Sequence, residues 1–163
     1  MFLMELYKNP GAVLEFEQSK MYLKENQNKE VKDIAFVECK KKCEGAKSCP
    51  PSVLVNYAKN DREFLIRQIE ILAPHIIFCC GTGDSRGAIY NAYGTIYKGE
   101  EINEIIRIKQ FSCHKHKNKL VIYFRHPSYI IGAKNEKMYF DKLYELIKKG
   151  NVYENFDWNS NAN

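Results

Sequence analysis

The run Leu120-Val121-Ile122-Tyr123-Phe124-Arg125 ends abruptly in His126-Pro127-Ser128. Its apolar part predicts a short strand buried on both faces, as in a parallel sheet covered by helices. Where it stops, a titratable ring, a rigid proline and a hydroxyl follow at once. Such a junction puts chemistry-bearing groups where a buried strand meets solvent. An imidazole there titrates near neutrality and exchanges donor and acceptor roles readily. Taken alone, the same pair also fits a histidine that caps a strand end.

Two further apolar runs precede this one. Asp33-Ile34-Ala35-Phe36-Val37-Glu38-Cys39 predicts a short, largely buried strand, and His75-Ile76-Ile77-Phe78-Cys79-Cys80 a continuous apolar one. Between them, residues 52–73 carry helical periodicity, with Asp61 as a cap and Phe64, Leu65, Ile69 and Leu72 on one face. Pro74 stops that helix. A second helix is expected through Ala88, Ile89 and Tyr93, and a third over residues 136–149, built on Met138, Phe140, Leu143, Leu146 and Ile147 and ended by Gly150. Residues 11–25 form an imperfect amphipathic helix, and residues 99–119 read as polar and irregular, with Ile102, Ile105 and Ile106 in a helical turn or a hairpin strand.

Alternating strands and helices imply right-handed crossovers. The predicted fold is therefore α/β, a three-layer αβα sandwich on a short, mainly parallel sheet. It occupies a single domain over residues 1–150, followed by a polar tail over 151–163. Ligands of such sheets bind outside the carboxyl ends of the strands. Glu38, Thr82 and His126 all fall at those ends, and this convergence joins them into one candidate site.

Charge and cysteines narrow the partners. A net charge of +5 permits an acidic partner without requiring one. Lys40-Lys41-Lys42 and His114-Lys115-His116-Lys117-Asn118-Lys119 adjoin predicted strand ends, where they either follow a phosphate backbone or form solvated loops. No apolar stretch approaches the roughly 20 residues of a membrane span, and the first residues lack the pattern of a secretory signal. Six cysteines in that setting read as reduced thiols of a cytoplasmic protein. Cys39, Cys43 and Cys49 have the chemistry of metal ligands, but no C-x-x-C pair accompanies them, so no metal is predicted.

Gly81-Thr82-Gly83-Asp84-Ser85-Arg86-Gly87 follows a strand and opens a helix, the context of a phosphate-binding turn. Its glycine spacing is one residue longer than the dinucleotide fingerprint, which favours a tight structural turn. Beyond His126-Pro127-Ser128, Tyr129-Ile130-Ile131-Gly132 places an apolar tip in a polar neighbourhood. Such a tip is either a wedge between base steps or a loop tucked under the last helix.

In this order, the features of residues 33–148 resemble the uracil-DNA glycosylase superfamily, in its small bacterial-type members. His126-Pro127-Ser128 matches the superfamily's His-Pro-Ser motif, whose histidine assists cleavage of the base–sugar bond. Tyr129 and Ile130 fall at the loop that wedges the duplex. The stretch from Cys49 to Gly83 looks like the helix–Pro–strand–Gly segment, and residues 33–43 like the strand carrying the base-reading position. There Glu38 stands where an asparagine is expected, and a carboxylate accepts hydrogen bonds without donating them. Residues 1–32 contain no counterpart of the family's first motif, a Gly-rich strand end with a water-orienting acid. The resemblance implies a uracil-DNA glycosylase-like protein that binds DNA and hydrolyses the N-glycosidic bond of uracil or another damaged base. His126 is then catalytic, and Glu38, Gly81, Thr82, Pro127 and Ser128 contact substrate. A non-catalytic nucleic-acid-binding module on the same fold is the alternative. Either reading takes the protein as a monomer without cofactor, with the strandedness of its DNA open.

Overall fold

Proline at a first helical position loses nothing, because that N–H has no intrahelical acceptor, and its fixed φ already suits the helix. Pro51 opens helix α1 (Pro51–Asn60) in this way. The computed structural model describes residues 15–18, 20–21, 24–25, 34–39, 50–80, 92–124 and 133–155. Asp61 interrupts the predicted long helix: its φ of −97° and ψ of 20° leave the helical region, and helix α2 (Arg62–Leu72) starts anew. No side-chain bond from Asp61 caps α2. Leu65 and Ile69 are buried, whereas Phe64 and Leu72 face outward, so the apolar face is narrower than the sequence pattern predicts. Ala73 closes α2 in the left-handed conformation, its N–H bonded to the Ile69 and Glu70 carbonyls, just ahead of Pro74.

The sheet comprises β1 (Ile76–Cys80), β2 (Asn103–Ile108), β3 (Phe111–His116) and β4 (Lys119–Phe124), in the order β1-β4-β3-β2. Only β1 and β4 are parallel, with Ile76 opposite Leu120 and Cys80 opposite Phe124. The other two pairings are antiparallel. The sheet is thus mixed, not mainly parallel. The physical reason is connection length: Lys109-Gln110 and Lys117-Asn118 join successive strands directly, and two-residue links can only form hairpins.

Alternation along β4 distributes its residues between two cores. Leu120, Ile122 and Phe124 pack with Phe111, Cys113 and three residues of helix α4 (Ala133–Lys149): Leu143, Leu146 and Ile147. Val121 and Tyr123 face the other way, toward Ala58 of α1, Leu65 and Ile69 of α2, and Ala92, Tyr93 and Ile96 of helix α3 (Ala92–Ile96). Helices therefore cover both faces of the sheet among the described residues. Each fully buried aliphatic or aromatic side chain contributes roughly 1.5–3 kcal/mol against exposure, and β4 is buried from Leu120 to Phe124. Packing continues beyond Gly150, where Val152 of helix α5 (Val152–Asn155) is buried in the α4-side core.

Residues 34–38, expected as a buried strand, are described without strand pairing. Phe36 is 88% exposed and Ile34 43%, while Val37 and Cys39 pack against the core on the α1–α3 side. An apolar run marks a strand only where a neighbour covers both of its faces.

Candidate functional site

The sequence assigns its chemistry to the carboxyl ends of the strands. Two of those ends are well defined. Cys80 and Phe124 are register partners, and each is the last residue of its strand. Phe124 is almost fully buried, its ring stacked 4.3 Å from Phe111 and set edge-on to Tyr139 at 4.6 Å. The frame that carries the His-Pro-Ser motif is therefore firmly packed up to the residue before Arg125. Gly81, Thr82, His126, Pro127, Ser128, Tyr129 and Ile130 themselves lie outside the described residues. Glu38 is described, and it is exposed on the extended segment beside β1, not on a sheet strand.

A second polar constellation was not singled out in the sequence. Strand alternation sends Ser112, His114 and His116 of β3 to the α3 side of the sheet, and all three are buried. Nδ1 of His116 lies 2.7 Å from the Tyr93 hydroxyl, and its Nε2 lies 3.1 Å from Oε2 of Glu100. Lys117 reaches the same Glu100 oxygen at 2.7 Å. The Lys117 hydrogen bond is the main influence holding the Glu100 carboxyl below its usual range; desolvation opposes it, and His116 adds to it. Burial drives the Tyr93 hydroxyl far upward, so it keeps its proton. These two facts orient the chain of bonds. Glu100 as a carboxylate can only accept, so Nε2–H of His116 donates to it, and the Tyr93 hydroxyl, which keeps its proton, meets the ring at Nδ1. Tyr97 closes the cluster with its ring 4.5 Å from that of His116, its own hydroxyl pushed up to about 12 by burial first and then by Glu70 and Glu100.

His114 stands beside this cluster. Its Nε2 is 2.8 Å from Ser112 Oγ and 3.9 Å from Glu104 Oε2, and Glu104 is itself paired with Arg107. Serine and carboxylate approach the same ring nitrogen, so they do not form a relay across the imidazole, which needs both nitrogens. Ser112 is also sealed from solvent. Burial dominates in lowering the His114 pKa; Glu104 opposes it and Arg107 adds to it.

This cluster and the basic run that contains it sit at the wrong end of the sheet to join the predicted site. His116 pairs with Lys119, the first residue of β4, whereas the His-Pro-Ser motif follows its last. At about 3.3 Å per residue, the two ends of β4 are roughly 17 Å apart. Two histidines of the run are also buried inside a strand, so it is not the solvated loop one reading expected. An open cleft at this end is lined by Glu100, Glu101, Asn103, Lys115, His116 and Lys117.

The described cysteines, Cys39, Cys79, Cys80 and Cys113, form no disulfide with one another. Burial pushes Cys113 up to about 12 and raises Cys79 and Cys80 as well, which makes these thiols poor nucleophiles. Among the described residues no group of three His, Cys, Asp or Glu side chains can hold a metal ion, and no helix is long and apolar enough to cross a membrane.

No protein-family model matches the chain, and no curated protein or solved structure is significantly similar to it. The fold and the strand ends define a mixed α/β protein with a four-stranded sheet.

Proposed function

We propose that this chain is a DNA base-excision glycosylase-like protein that hydrolyses the N-glycosidic bond of uracil or another damaged base. One observation carries the reading: the parallel pair β1 and β4 ends in register at Cys80 and Phe124, immediately before Gly81-Thr82 and Arg125-His126-Pro127-Ser128. Open α/β sheets bind ligands at such an edge.

In this reaction the target nucleotide leaves the stack, and Ile130 with Tyr129 fills the gap. The bond between C1′ and the base nitrogen breaks, and its electron pair departs with the base. His126 donates a hydrogen bond to the anion that forms. Water adds to C1′, and the proton it loses ends on the departed base anion, leaving a neutral free base and an abasic sugar. Ser128 and the Pro127 backbone hold the base or its phosphate, Gly81 and Thr82 contact the adjoining backbone, and Glu38 accepts from the base edge. The protein works without a cofactor, as a cytoplasmic monomer.

The test incubates the protein with uracil-containing and otherwise damaged oligonucleotides and reads abasic product as alkali-labile cleavage. Product is expected on at least one substrate, and His126→Ala is expected to lower its rate about 100–1,000-fold, the usual effect of losing one preorganised donor. A folded protein that releases no base from any substrate sinks the enzymatic reading.

The exposed position of Glu38, on a segment that is not itself a sheet strand, favours a second reading. Here the chain is a non-catalytic nucleic-acid-binding module on the same fold. Salt-dependent DNA binding without base release identifies it.

A further inference from the structure

Strand β1 is apolar throughout, yet each of its five residues is only half-buried, whereas its neighbour β4 is buried along nearly its whole length. In the sheet order of the described residues β1 lies at one border, with β4 on its inner side. A long apolar border strand invites an additional strand. The extended residues 34–39 run nearby: Val37 and Cys39 pack against the same core as Ile77 and Cys79. The Cys79 thiol is raised chiefly by its burial and secondarily by the Cys39 thiol.

The pleat supplies an independent check. Along β1, Ile77 and Cys79 face α1–α3, while Ile76 and Phe78 face α4. In residues 34–39, Val37 and Cys39 already face the α1–α3 side, so alternation assigns Ile34 and Phe36 to the α4 side beside Ile76 and Phe78. Both are exposed, as are Ala35 and Glu38. Closing the segment onto β1 covers Ile34 and Phe36 in matching parity.

We infer that residues 34–38 are a strap that docks along β1 as a fifth strand and brings Glu38 level with Phe78. Placing Cys39 beside Cys79, the penultimate residue of β1, leaves Glu38 two residues short of Cys80 at the site edge. Docking itself is independent of catalysis; only the role of Glu38 rests on the glycosylase reading.

Hydrogen exchange of the full chain, alone and with a uracil-containing duplex, tests this. Amides 34–38 are expected to exchange at least about tenfold slower than in an unstructured peptide of the same sequence, in one or both conditions. Ala35→Pro and Phe36→Pro refine the test, with Phe36→Ala reporting the loss of the Phe36 side chain alone; both positions are exposed in the structure. In a border strand alternate amides point inward and outward, so one proline is expected to abolish the protection and the other to spare it. Unprotected amides in both conditions, or equal effects of the two prolines, overturn the strap. Protection of residues 76–80 that appears only with concentration-dependent dimerisation assigns the border to a second copy instead, and also overturns it. A docked strap without abasic product discards catalysis alone; abasic product with an undocked strap discards the strap alone.

Discussion

The Tyr93 hydroxyl lies 2.7 Å from Nδ1 of His116, and this bond ties α3 to the β3–β4 hairpin. Both residues are almost fully buried. Tyr93→Phe therefore leaves a buried ring nitrogen without its donor. A loss of about 1–3 kcal/mol is expected, the desolvation cost of an unmet buried polar group. The double variant Tyr93→Phe with His116→Leu is expected to lose less than the sum of the two single changes, because the unmet partner is gone. Urea unfolding of the four proteins measures the coupling.

His114 makes stability depend on pH. Burial sets its folded pKa below the ordinary 6.5, so between the two values the unfolded chain binds the extra proton. Its contribution is then fully present above the unfolded value and declines as pH falls below it, levelling off once the folded value is passed. Melting temperature is expected to fall as pH drops from 7 toward about 5, and His114→Gln to flatten that slope. A slope unchanged in the variant assigns the dependence to other groups.

What was legible in the sequence was what a repeating apolar pattern encodes. Residues 120–124 and 136–149 carry such patterns, and β4 and α4 are where they predict. The hairpins that lead into β4 stayed open between a helical turn and a hairpin strand for three physical reasons. Their buried face is built from Ser112, His114 and His116, made tolerable inside by the Ser112–His114 hydrogen bond and by those of His116 to Tyr93 and Glu100. A bulge between Glu104 and Ile106 breaks the alternation of β2. Both turns put lysine, Lys109 and Lys117, at positive φ, where glycine or asparagine would have signalled a turn. Without the hairpins, a parallel sheet was the natural inference. The candidate site was legible as three strand ends, of which the structure aligns two. Residues 34–38 carry the composition of a strand, but Phe36 shows that composition does not supply the neighbour.

Gly150 is where α4 meets β2. A Cβ placed there comes 2.6 Å from Cγ2 of Ile106 and 3.1 Å from Cγ2 of Val152. Gly150→Ala is therefore an overpacking change, expected to cost about 1–3 kcal/mol even though alanine favours helices. Adding Ile106→Ala removes the shortest contact and is expected to reduce the Gly150 penalty in that background, while the Leu146 carbonyl and Val152 Cγ2 remain at 3.1 Å. Thermal unfolding of both pairs decides it. An equal penalty in the two backgrounds removes Ile106 as the cause.

The separation of the two ends of β4 makes a prediction about charge. If DNA docks at the carboxyl edge, Lys115, Lys117 and Lys119 stand roughly 17 Å behind it, beyond a Debye length of about 8 Å at physiological salt. Lys117 is in addition paired with Glu100. Each phosphate contact contributes about 0.9 to the slope of log affinity against log salt. Replacing all three lysines by alanine is therefore expected to leave the slope nearly unchanged, as read by anisotropy of a labelled duplex over a salt series. A slope reduced by about 2–3 means that these lysines hold phosphates. DNA would then lie across the amino end of β4, over the Glu100–His116–Tyr93 cluster, and the carboxyl edge would lose its claim to the nucleic acid.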